Sequence, residues 1–414
     1  FDVMTDGVAT SSAPGQGGSG TVYAQQIQAG QVNEVAQQGY GAGLYGVGLY
    51  GTALSSDSAR TYPRIWFMDR YGDSLIATPG NGSPVYVWDG LRDFAPSPIT
   101  DVGAPQKVNY AFVSDNILVT LGAEDESGNI VENRITGSDQ NDIHNWTSSS
   151  TNQVFRDDIE GAGRLFSHLP VRGTNLIFSE SQTYSFRYIG LEAGVWEISQ
   201  VDPNIGLIAP MARVSVRGIG IWMGANNFYL YRGSNVEIIP SNNPQYPHCT
   251  ALKYVFGNLN LGQKSKIFAW YNAKFDEVWF HYPSSASNEP DRVVRVALND
   301  FTWSVDMMDR TAAEYPTQGA AYPRAASLDG SIYYHEVGND ADSVAMPFRA
   351  QTCLQVMDKK TTNMESFIPD SIQSGDISVS LKFRLFPQSV KNMSLRSYIV
   401  DPEYENMKVR HNGR

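Results

Sequence analysis

A chain of 414 residues is long enough for two or three ordinary domains or for one large repeat assembly. Its 31 Lys and Arg stand against 43 Asp and Glu, so the net charge is −12. This charge argues against a protein that grips nucleic acid, because phosphate contacts need basic side chains. An acidic passage along which DNA slides without sticking is compatible with it.

The composition favours an all-β fold. Hydrophobic residues make up 42% of the chain, which suffices for a substantial core, and 22 Tyr and 37 Gly suit half-buried strands and tight turns. The sequence has no secretory signal and no apolar run of about 18 residues, so we expect no membrane span. Because the chain begins at Phe1 rather than Met, we expect it to be truncated or processed.

Residues 1–60 differ from the rest of the chain, and we assign them to an N-terminal Gly/Ser/Tyr-rich arm or insertion. Residues 11–20 are a low-complexity Gly/Ser stretch, and residues 39–51 alternate Gly with Tyr. The second segment has no strand before it and no helix after it, so it is not a phosphate-binding loop. We interpret it as an extended loop anchored by Tyr40, Tyr45 and Tyr50, with a disordered arm as the alternative.

From residue 61 to 414 a strand–turn–strand pattern recurs. Its apolar segments, taken at Ile76, Val119, Ile177, Trp222, Trp279 and Tyr333, follow one another at intervals of 43 to 58 residues. One four-stranded propeller blade uses about 40 to 50 residues. Short turns such as those at 80–82, 127–129 and 217–218 force neighbouring strands to be antiparallel. The sequence therefore predicts an all-β fold, a β-propeller of about six to seven blades.

Three features within the propeller region support more specific predictions. Trp146, Trp196 and Trp303 recur near blade ends, where each either covers the seam between adjacent sheets or belongs to the core. Residues 240–263 are a short insertion with a helical candidate, because Leu252, Val255 and Phe256 share one face and Gly257 follows. Residues 377–386 alternate as a half-buried strand, which either belongs to a seventh blade or pairs with an N-terminal strand at 32–35.

Four polar clusters are candidates for chemistry, and each has a structural alternative. A metal loop at Asp139, Asp142 and His144 competes with a surface loop whose Asp side chains cap turns. Residues 339–342 resemble part of a calcium loop but lack its glycine and terminal glutamate. The other two clusters are a carboxylate set for glycoside hydrolysis at Asp157, Asp158 and Glu160, and the pair His335–Glu336, which we expect to pack near a strand end.

No catalytic motif is present, so we assign no catalytic, cofactor-binding or metal-binding residue and expect no cofactor. The serine nucleophile elbow, the zinc-protease helix motif and the turn repeat of propeller sialidases are missing from the sequence. Cys249 and Cys353 either pair or stay buried free thiols, and the second state is the default. Asn145 and Asn392 match glycosylation acceptors, but without a secretory signal we interpret these matches as chance.

Several short sequence segments, taken in their order along the chain, resemble those of the tail nozzle proteins of short-tailed bacteriophages. These proteins are also named packaged-DNA stabilisation or tail tubular proteins. The resemblance extends from about residue 38 to 340. The phrases that carry it are the Gly/Tyr segment 39–51, WFMDRYGDSLIA (66–77), VYVWDG (85–90), GLIAP (206–210), IWMG (221–224), DEVWFHYP (276–283), DRT (309–311) and YHEVG (334–338).

The resemblance implies a structural virion protein of the phage tail that is not an enzyme. Such a protein forms a hexameric ring below the portal and its adaptor, contacts tail fibres or spikes, and extends the DNA channel. Double-stranded DNA passes through the lumen without sequence-specific binding and is retained until ejection.

Two alternatives remain open: a propeller glycan hydrolase and a carbohydrate-binding module. A cluster of Asp, Glu and Arg at one mouth of the propeller would favour the first, and a shallow aromatic site the second.

Overall fold

The described part of the chain is built almost wholly from antiparallel β-strands. In this computed structural model the residues described are 33–36, 60–63, 65–90, 96–242, 248–315, 321–338, 340–341, 344–345, 377–383 and 394–400. They divide into two compact units, one ending at Val337 and the other beginning at Gly338. The Gly/Tyr segment 39–51 lies outside the described residues.

The first unit opens with a short two-stranded sheet and continues with six sheets, which we call blades 1 to 6. The opening sheet pairs β1 (Val35–Ala36) with β2 (Arg60–Thr61). Blade 1 has β3 (Phe67–Tyr71), β4 (Ser74–Thr78), β5 (Tyr86–Trp88) and β6 (Ser97–Pro98); blade 2 has β7 (Tyr110–Ser114), β8 (Ile117–Leu121), β9 (Arg134–Gly137) and β10 (Phe155–Asp158).

The remaining blades repeat this order of strands. Blade 3 has β11 (Ser167–Val171), β12 (Thr174–Phe178), β13 (Thr183–Gly190) and β14 (Val195–Asp202); blade 4 has β15 (Arg213–Val216), β16 (Ile219–Met223), β17 (Phe228–Tyr231) and β18 (Val236–Ile238). Blade 5 has β19 (Phe268–Asn272), β20 (Glu277–Tyr282), β21 (Arg292–Ala297) and β22 (Trp303–Met307), and the described part of blade 6 has β23 (Ala312–Glu314), β24 (Arg324–Ala326) and β25 (Ile332–Tyr334).

Consecutive blades meet through their first strands. Strand β3 lies beside β7, β11 beside β15, β15 beside β19, and β19 beside β23. The first strand of each blade therefore lies nearest the common axis, and the six blades form a β-propeller. The predicted fold class is confirmed, with six blades in the described part of the chain.

The recurring apolar phrase is the second strand in blades 1 to 5 and the third described strand in blade 6. Strand β8 is buried at every position, and β16 and β20 at all but the first. A strand covered on both faces by neighbouring sheets has no polar face, so it appears in sequence as a continuous apolar run. In blade 6 the second strand is short and rich in Ala, and the phrase around Tyr333 belongs to β25 instead.

The three tryptophans pack where blades meet. Trp196 stacks on Phe186 of its own blade with ring centroids 3.9 Å apart, and its ring centroid lies 5.8 Å from that of Phe155 in blade 2. Trp303 of blade 5 lies 4.9 Å from Phe228 of blade 4 in the same measure. Trp146 joins a buried cluster shared by blades 1 and 2, although it lies in the β9–β10 connection and not in a strand. The seam interpretation is therefore confirmed by these contacts.

The insertion between blades 4 and 5 is helical, as predicted, but short. Helix α1 (Leu252–Gly257) buries Val255 completely and packs Leu252 and Phe256 against the core of blades 4 and 5. A 3-10 segment (Leu261–Lys266) follows and leads into β19. This segment brings polar side chains to the end of the axis where the first strands begin.

Gly206 supports a prediction about the connection between blades 3 and 4. A Cβ atom at this position would lie 2.4 Å from both the carbonyl carbon of Glu180 and the amide nitrogen of Ser181. Backbone atoms cannot yield as a flexible side chain does, so we expect Gly206→Ala to lower the free energy of unfolding by about 1–3 kcal/mol. Gly163→Ala, whose Cβ would meet nothing within 4 Å, is the matched control. Equal denaturation midpoints for the two variants would contradict the prediction.

The second unit contains two short sheets in its described part. Strand β26 (Asp340–Ala341) pairs with β27 (Val344–Ala345), and β28 (Ile377–Phe383) pairs with β29 (Ser394–Val400) over seven residue pairs. The predicted strand at 377–386 is thus present over 377–383, with its partner β29 next to it in the chain. Its alternative pairing with residues 32–35 stays a prediction. A nearby partner costs less loop-closure entropy than one over 300 residues away.

The six blades lie in the unit that ends at Val337. The predicted extension of the propeller to residue 414 stays a prediction. The described residues of the second unit form two-stranded sheets and not a four-stranded seventh blade. The boundary of the N-terminal arm at residue 60 stays a prediction.

Candidate functional site

A polar network joins the first strands of blades 2, 3 and 4 near the propeller axis. Arg213 donates through Nε to Ser167 Oγ at 2.7 Å and through Nη2 to Tyr110 OH at 2.6 Å. Tyr110 OH also hydrogen-bonds His168 Nδ1 at 3.1 Å, and Ser167 Oγ donates to the carbonyl oxygen of Pro210 at 2.7 Å. One arginine therefore holds three inner strands together through neutral partners.

Burial keeps the network in a defined protonation state. The His168 ring stacks on Phe112 at 3.9 Å between centroids, and its burial, with the charge of Arg213, holds its pKa well below the usual value. Burial also raises the pKa of Tyr110, an effect that Arg213 partly opposes. At neutral pH His168 and Tyr110 are therefore uncharged, and Arg213 is the cation of the network.

The end of the axis where the first strands begin is covered by the strap, the name we give to residues 33–36 and 60–63. The backbone amide of Glu34 donates to Gln263 Oε1 and its carbonyl accepts from Gln263 Nε2, each at 3.1 Å. The Glu34 carboxylate accepts from Ser265 Oγ at 3.0 Å. Tyr62 lies under the guanidinium of Arg164, with the Arg164 Cζ 3.9 Å from the ring centroid. Both halves of the strap thus contact blades beyond the first.

Beneath the strap is a cavity of about 20 Å³, which holds little more than one water molecule. Its walls include residues that begin an inner strand or lie within three residues before one, namely Phe67, Asn109, Phe166, Pro210 and Ser265. Two cations at its rim are already paired, since Arg164 Nε lies 3.6 Å from Glu132 Oε2 and Lys264 Nζ lies 3.4 Å from Glu180 Oε1. This space is too small for a sugar ring.

The predicted metal loop does not bring its ligand groups together. Asp139 Oδ1 accepts from the amides of Gln140 and Gln153, while Asp142 Oδ1 accepts from the amide of His144. His144 Nδ1 lies 2.7 Å from Asp101 Oδ2, outside the loop. The Asp side chains act as turn caps. Across the described residues, no group of three His, Cys, Asp or Glu side chains could hold a metal ion.

The predicted carboxylate set lies on the outermost strand of blade 2, away from the axis. Asp158 forms a two-point ion pair with Arg134, at 2.7 Å and 2.8 Å, and this pairing lowers the pKa of Asp158. Asp157 is its neighbour in β10, so the two side chains point to opposite faces of the sheet. Glu160 is exposed beyond the strand end. The three carboxylates do not face one another across a cleft.

His335 and Glu336 pack directly after β25. His335 is buried, with Nε2 accepting from Arg310 Nε at 3.1 Å, and burial lowers its pKa to about 4. Glu336 Oε1 accepts from Asn272 Nδ2 at 2.8 Å. Both residues therefore connect blade 6 to its neighbour, blade 5.

The remaining predicted positions have simpler outcomes. Cys249 is a buried free thiol, and burial raises its pKa to about 12. The Oδ1 atom of Asn145 accepts from the amide of Thr147 at 3.3 Å. Cys353 and Asn392 lie outside the described residues, and only two residues of the 339–342 segment, Asp340 and Ala341, lie within them.

Sequence reasoning missed the axial network and the strap. Arg213, Ser167 and His168 occupy ordinary strand positions, and only the meeting of first strands brings them together. A detectable signal was the charged residue at the start of a short strand that carries two valines, as Arg213 opens β15. Glu34 carried no such signal, because its partners lie 229 residues or more away in the chain.

No helix among the described residues is long and apolar enough to cross a membrane.

Comparisons with known proteins return structural neighbours alone. No family model and no curated protein matches the chain. Among solved structures, the chain is similar to Hsv2p of Kluyveromyces lactis, with 10% identity, TM-score 0.38, and coverage of 68% of this chain and 76% of that chain. It is similar to BamB from Moraxella catarrhalis, with 11% identity, TM-score 0.35, and coverage of 65% and 70%. The N-terminal domain of Nup159 matches with 12% identity, TM-score 0.41, and coverage of 66% and 75%.

Proposed function

We propose that this chain is a structural subunit of the tail nozzle of a short-tailed bacteriophage. In this proposal six copies form a ring below the portal and adaptor, extend the DNA channel and retain packaged DNA until ejection. The chain acts as a scaffold and not as an enzyme. The observation that carries the proposal is the ordered set of sequence segments, from about residue 38 to 340, that resemble those of nozzle proteins.

The phrases coincide with the elements that build the propeller. WFMDRYGDSLIA covers β3 and β4, IWMG lies in β16, and DEVWFHYP covers β20. GLIAP contains Gly206, whose close approach to the backbone at residues 180 and 181 leaves no room for a side chain. These sequence segments therefore lie in strands and close backbone contacts, as expected for a chain whose role is structural.

The strap offers a route to assembly. Ala36 of β1 pairs with Arg60 of β2, so the two ends of the segment between them lie side by side. This segment includes the Gly/Tyr residues 39–51. Its two ends lie at the end of the axis where the first strands begin. A segment anchored at both ends can dock on a neighbouring subunit with less loss of chain entropy than a free arm.

The acidic charge fits a conduit. A net charge of −12 on each subunit, repeated around a ring, gives a negative lumen that repels phosphate groups. DNA then passes without adhering to the wall. A basic lumen would hold the DNA and slow its exit.

Electron microscopy of the assembled particle tests the proposal. We expect six copies of this chain around the tail axis, distal to the adaptor, with the propellers forming the wall of the ring. A single copy per particle, or a position away from the tail axis, would contradict it. Release of reducing sugar from a glycan by the purified chain would instead support the hydrolase alternative.

A variant that lacks the segment between the two strap strands separates assembly from folding. Because Ala36 and Arg60 are paired directly, a two-residue Asn-Gly turn can replace residues 37–59. We expect this variant to keep the circular dichroism spectrum of the propeller and to lose ring formation with the adaptor. A variant that assembles as well as the natural chain would show that the segment plays no part in assembly.

A further inference from the structure

We propose that Arg213 anchors a binding site for a small oxyanion, a carboxylate or a phosphate, beside the propeller axis. The site lies among the first strands of blades 2, 3 and 4. It is independent of the proposed assembly.

Arg213 is unusual among the arginines of the described chain because no carboxylate neutralises it. Among the described residues, eleven arginines have a carboxylate oxygen within 4.0 Å, while Arg213 and the exposed Arg172 have none. Arg213 is partly buried, and its two partners, Ser167 and Tyr110, are neutral. A part-buried cation without an ion-pair partner loses part of its hydration and gains no opposite charge in return, so a bound anion would be favourable there.

The nearest competing carboxylate is engaged elsewhere. Asp69 of β3 influences Tyr110 through its charge but makes no ion pair with Arg213. Its Oδ2 accepts from the amide of Val113 at 2.7 Å, and its Oδ1 accepts from the amide of Arg70 at 2.8 Å. Both oxygens of Asp69 therefore have backbone partners, and neither forms an ion pair with Arg213.

The guanidinium keeps enough donors for an anion. Of its five N–H groups, one on Nε and one on Nη2 are used, which leaves one on Nη2 and two on Nη1. Some side-chain nitrogen and oxygen atoms of the described chain are both buried and without a hydrogen-bond partner, and Nη1 of Arg213 is not one of them. We therefore take Nη1 to be accessible to solvent. Two adjacent nitrogens with free hydrogens match the two oxygens of one carboxylate or phosphate.

His168 adds a neutral donor to the same region. Tyr110 OH accepts from Arg213, so its proton is free to go to His168 Nδ1, and the remaining imidazole proton is then on Nε2. Among the described residues Nε2 of this buried histidine has no hydrogen-bond partner, and it is not one of the side-chain atoms that are both inaccessible and unpartnered. The network thus presents a cation and a neutral N–H donor to the same region, and none of its own four side chains, Tyr110, Ser167, His168 and Arg213, is negatively charged.

Calorimetric titration of the whole chain tests this site. Inorganic phosphate and acetate are titrated separately into the natural protein at constant ionic strength set with sodium chloride. We expect saturable binding of at least one anion, and a loss of at least tenfold in affinity in Arg213→Gln. Gln keeps a hydrogen-bond donor near Ser167 and Tyr110 but removes the charge. A phosphate-only response would identify a phosphate site, and an acetate response a carboxylate site.

Two controls keep the test decisive. Arg172→Gln removes an unpaired arginine at the surface and should leave the affinity unchanged. Phosphate also stabilises proteins without binding a site, so the thermal shift it produces is compared between the natural chain and Arg213→Gln. No binding heat with either anion in the natural protein, or equal thermal shifts in the two proteins, would overturn the proposal even if the variant folds poorly.

Discussion

Phe228→Ala is expected to lower the free energy of unfolding by about 3–5 kcal/mol, the range for loss of a large buried aromatic side chain. Phe228 begins β17 and is completely buried. Its ring centroid lies 5.0 Å from that of Phe280 and 4.9 Å from that of Trp303, both in blade 5. The substitution therefore opens a cavity in the seam between two blades, where neither sheet can collapse alone. Urea denaturation followed by tryptophan fluorescence measures the change.

Phe275→Ala is the matched control for this prediction. Phe275 belongs to the β19–β20 turn of blade 5 and is 50% exposed, so its removal should change the free energy of unfolding by no more than about 0.5 kcal/mol. If the two substitutions had similar effects, the seam would not be the source of stability. A lower denaturant slope for Phe228→Ala alone would indicate that blades 4 and 5 separate before the rest unfolds.

Acid should destabilise the propeller between about pH 6.5 and pH 4, before most carboxylates titrate. Burial, and then the charges of His335, Arg310 and Arg295, lowers the pKa of His281 to about 3. Burial and Arg310 lower the pKa of His335 to about 4. In the unfolded chain both would titrate near 6.5. Their stabilising effect is thus present above pH 6.5 and is lost as pH falls toward the folded pKa values.

In this pH range we expect the free energy of unfolding to fall by about 1.4 kcal/mol per pH unit for each of the two histidines, His281 and His335. His335→Gln keeps an acceptor for Arg310 Nε but cannot be protonated, so it should reduce the slope by about one histidine's share. His248→Gln, which changes an exposed histidine, should leave the slope unchanged. The measurement is the urea midpoint at intervals from pH 7 to pH 4. An unaltered slope in His335→Gln would show that another group governs acid unfolding.

Much of the propeller was predictable from the sequence because its strands are local. The phrases at Ile76, Val119, Ile177, Trp222 and Trp279 mark second strands that neighbouring sheets cover on both faces. The turn at Arg217 and Gly218 was also predicted from the sequence. In the structure both residues have positive φ, at 52° and 78°, as such a tight turn requires. In blade 6 the same phrase marks the third described strand, because its second strand is short and lacks large side chains.

The polar clusters were harder to interpret because adjacency in sequence is a weak guide to adjacency in space. Asp139, Asp142 and His144 are close in the chain, yet their side chains serve separate turns and His144 pairs with Asp101. Tyr110, His168 and Arg213 are far apart in the chain, yet they share one network. The difference is that the first set is fixed by local hydrogen bonds, whereas the second is set by how the blades are arranged.

The sequence by itself determined the all-β class, the repeating blade and its tight turns, since alternation, apolar runs and turn chemistry act over a few residues. Tertiary structure alone decided that Arg213 has no ion-pair partner among the described residues, that His281 and His335 are buried between blades 5 and 6, and that β28 pairs with β29. Each of these depends on contacts between segments distant along the chain or on desolvation by neighbouring sheets. No local sequence pattern encodes these distant contacts or this desolvation, because burial and charge pairing are properties of the assembled fold.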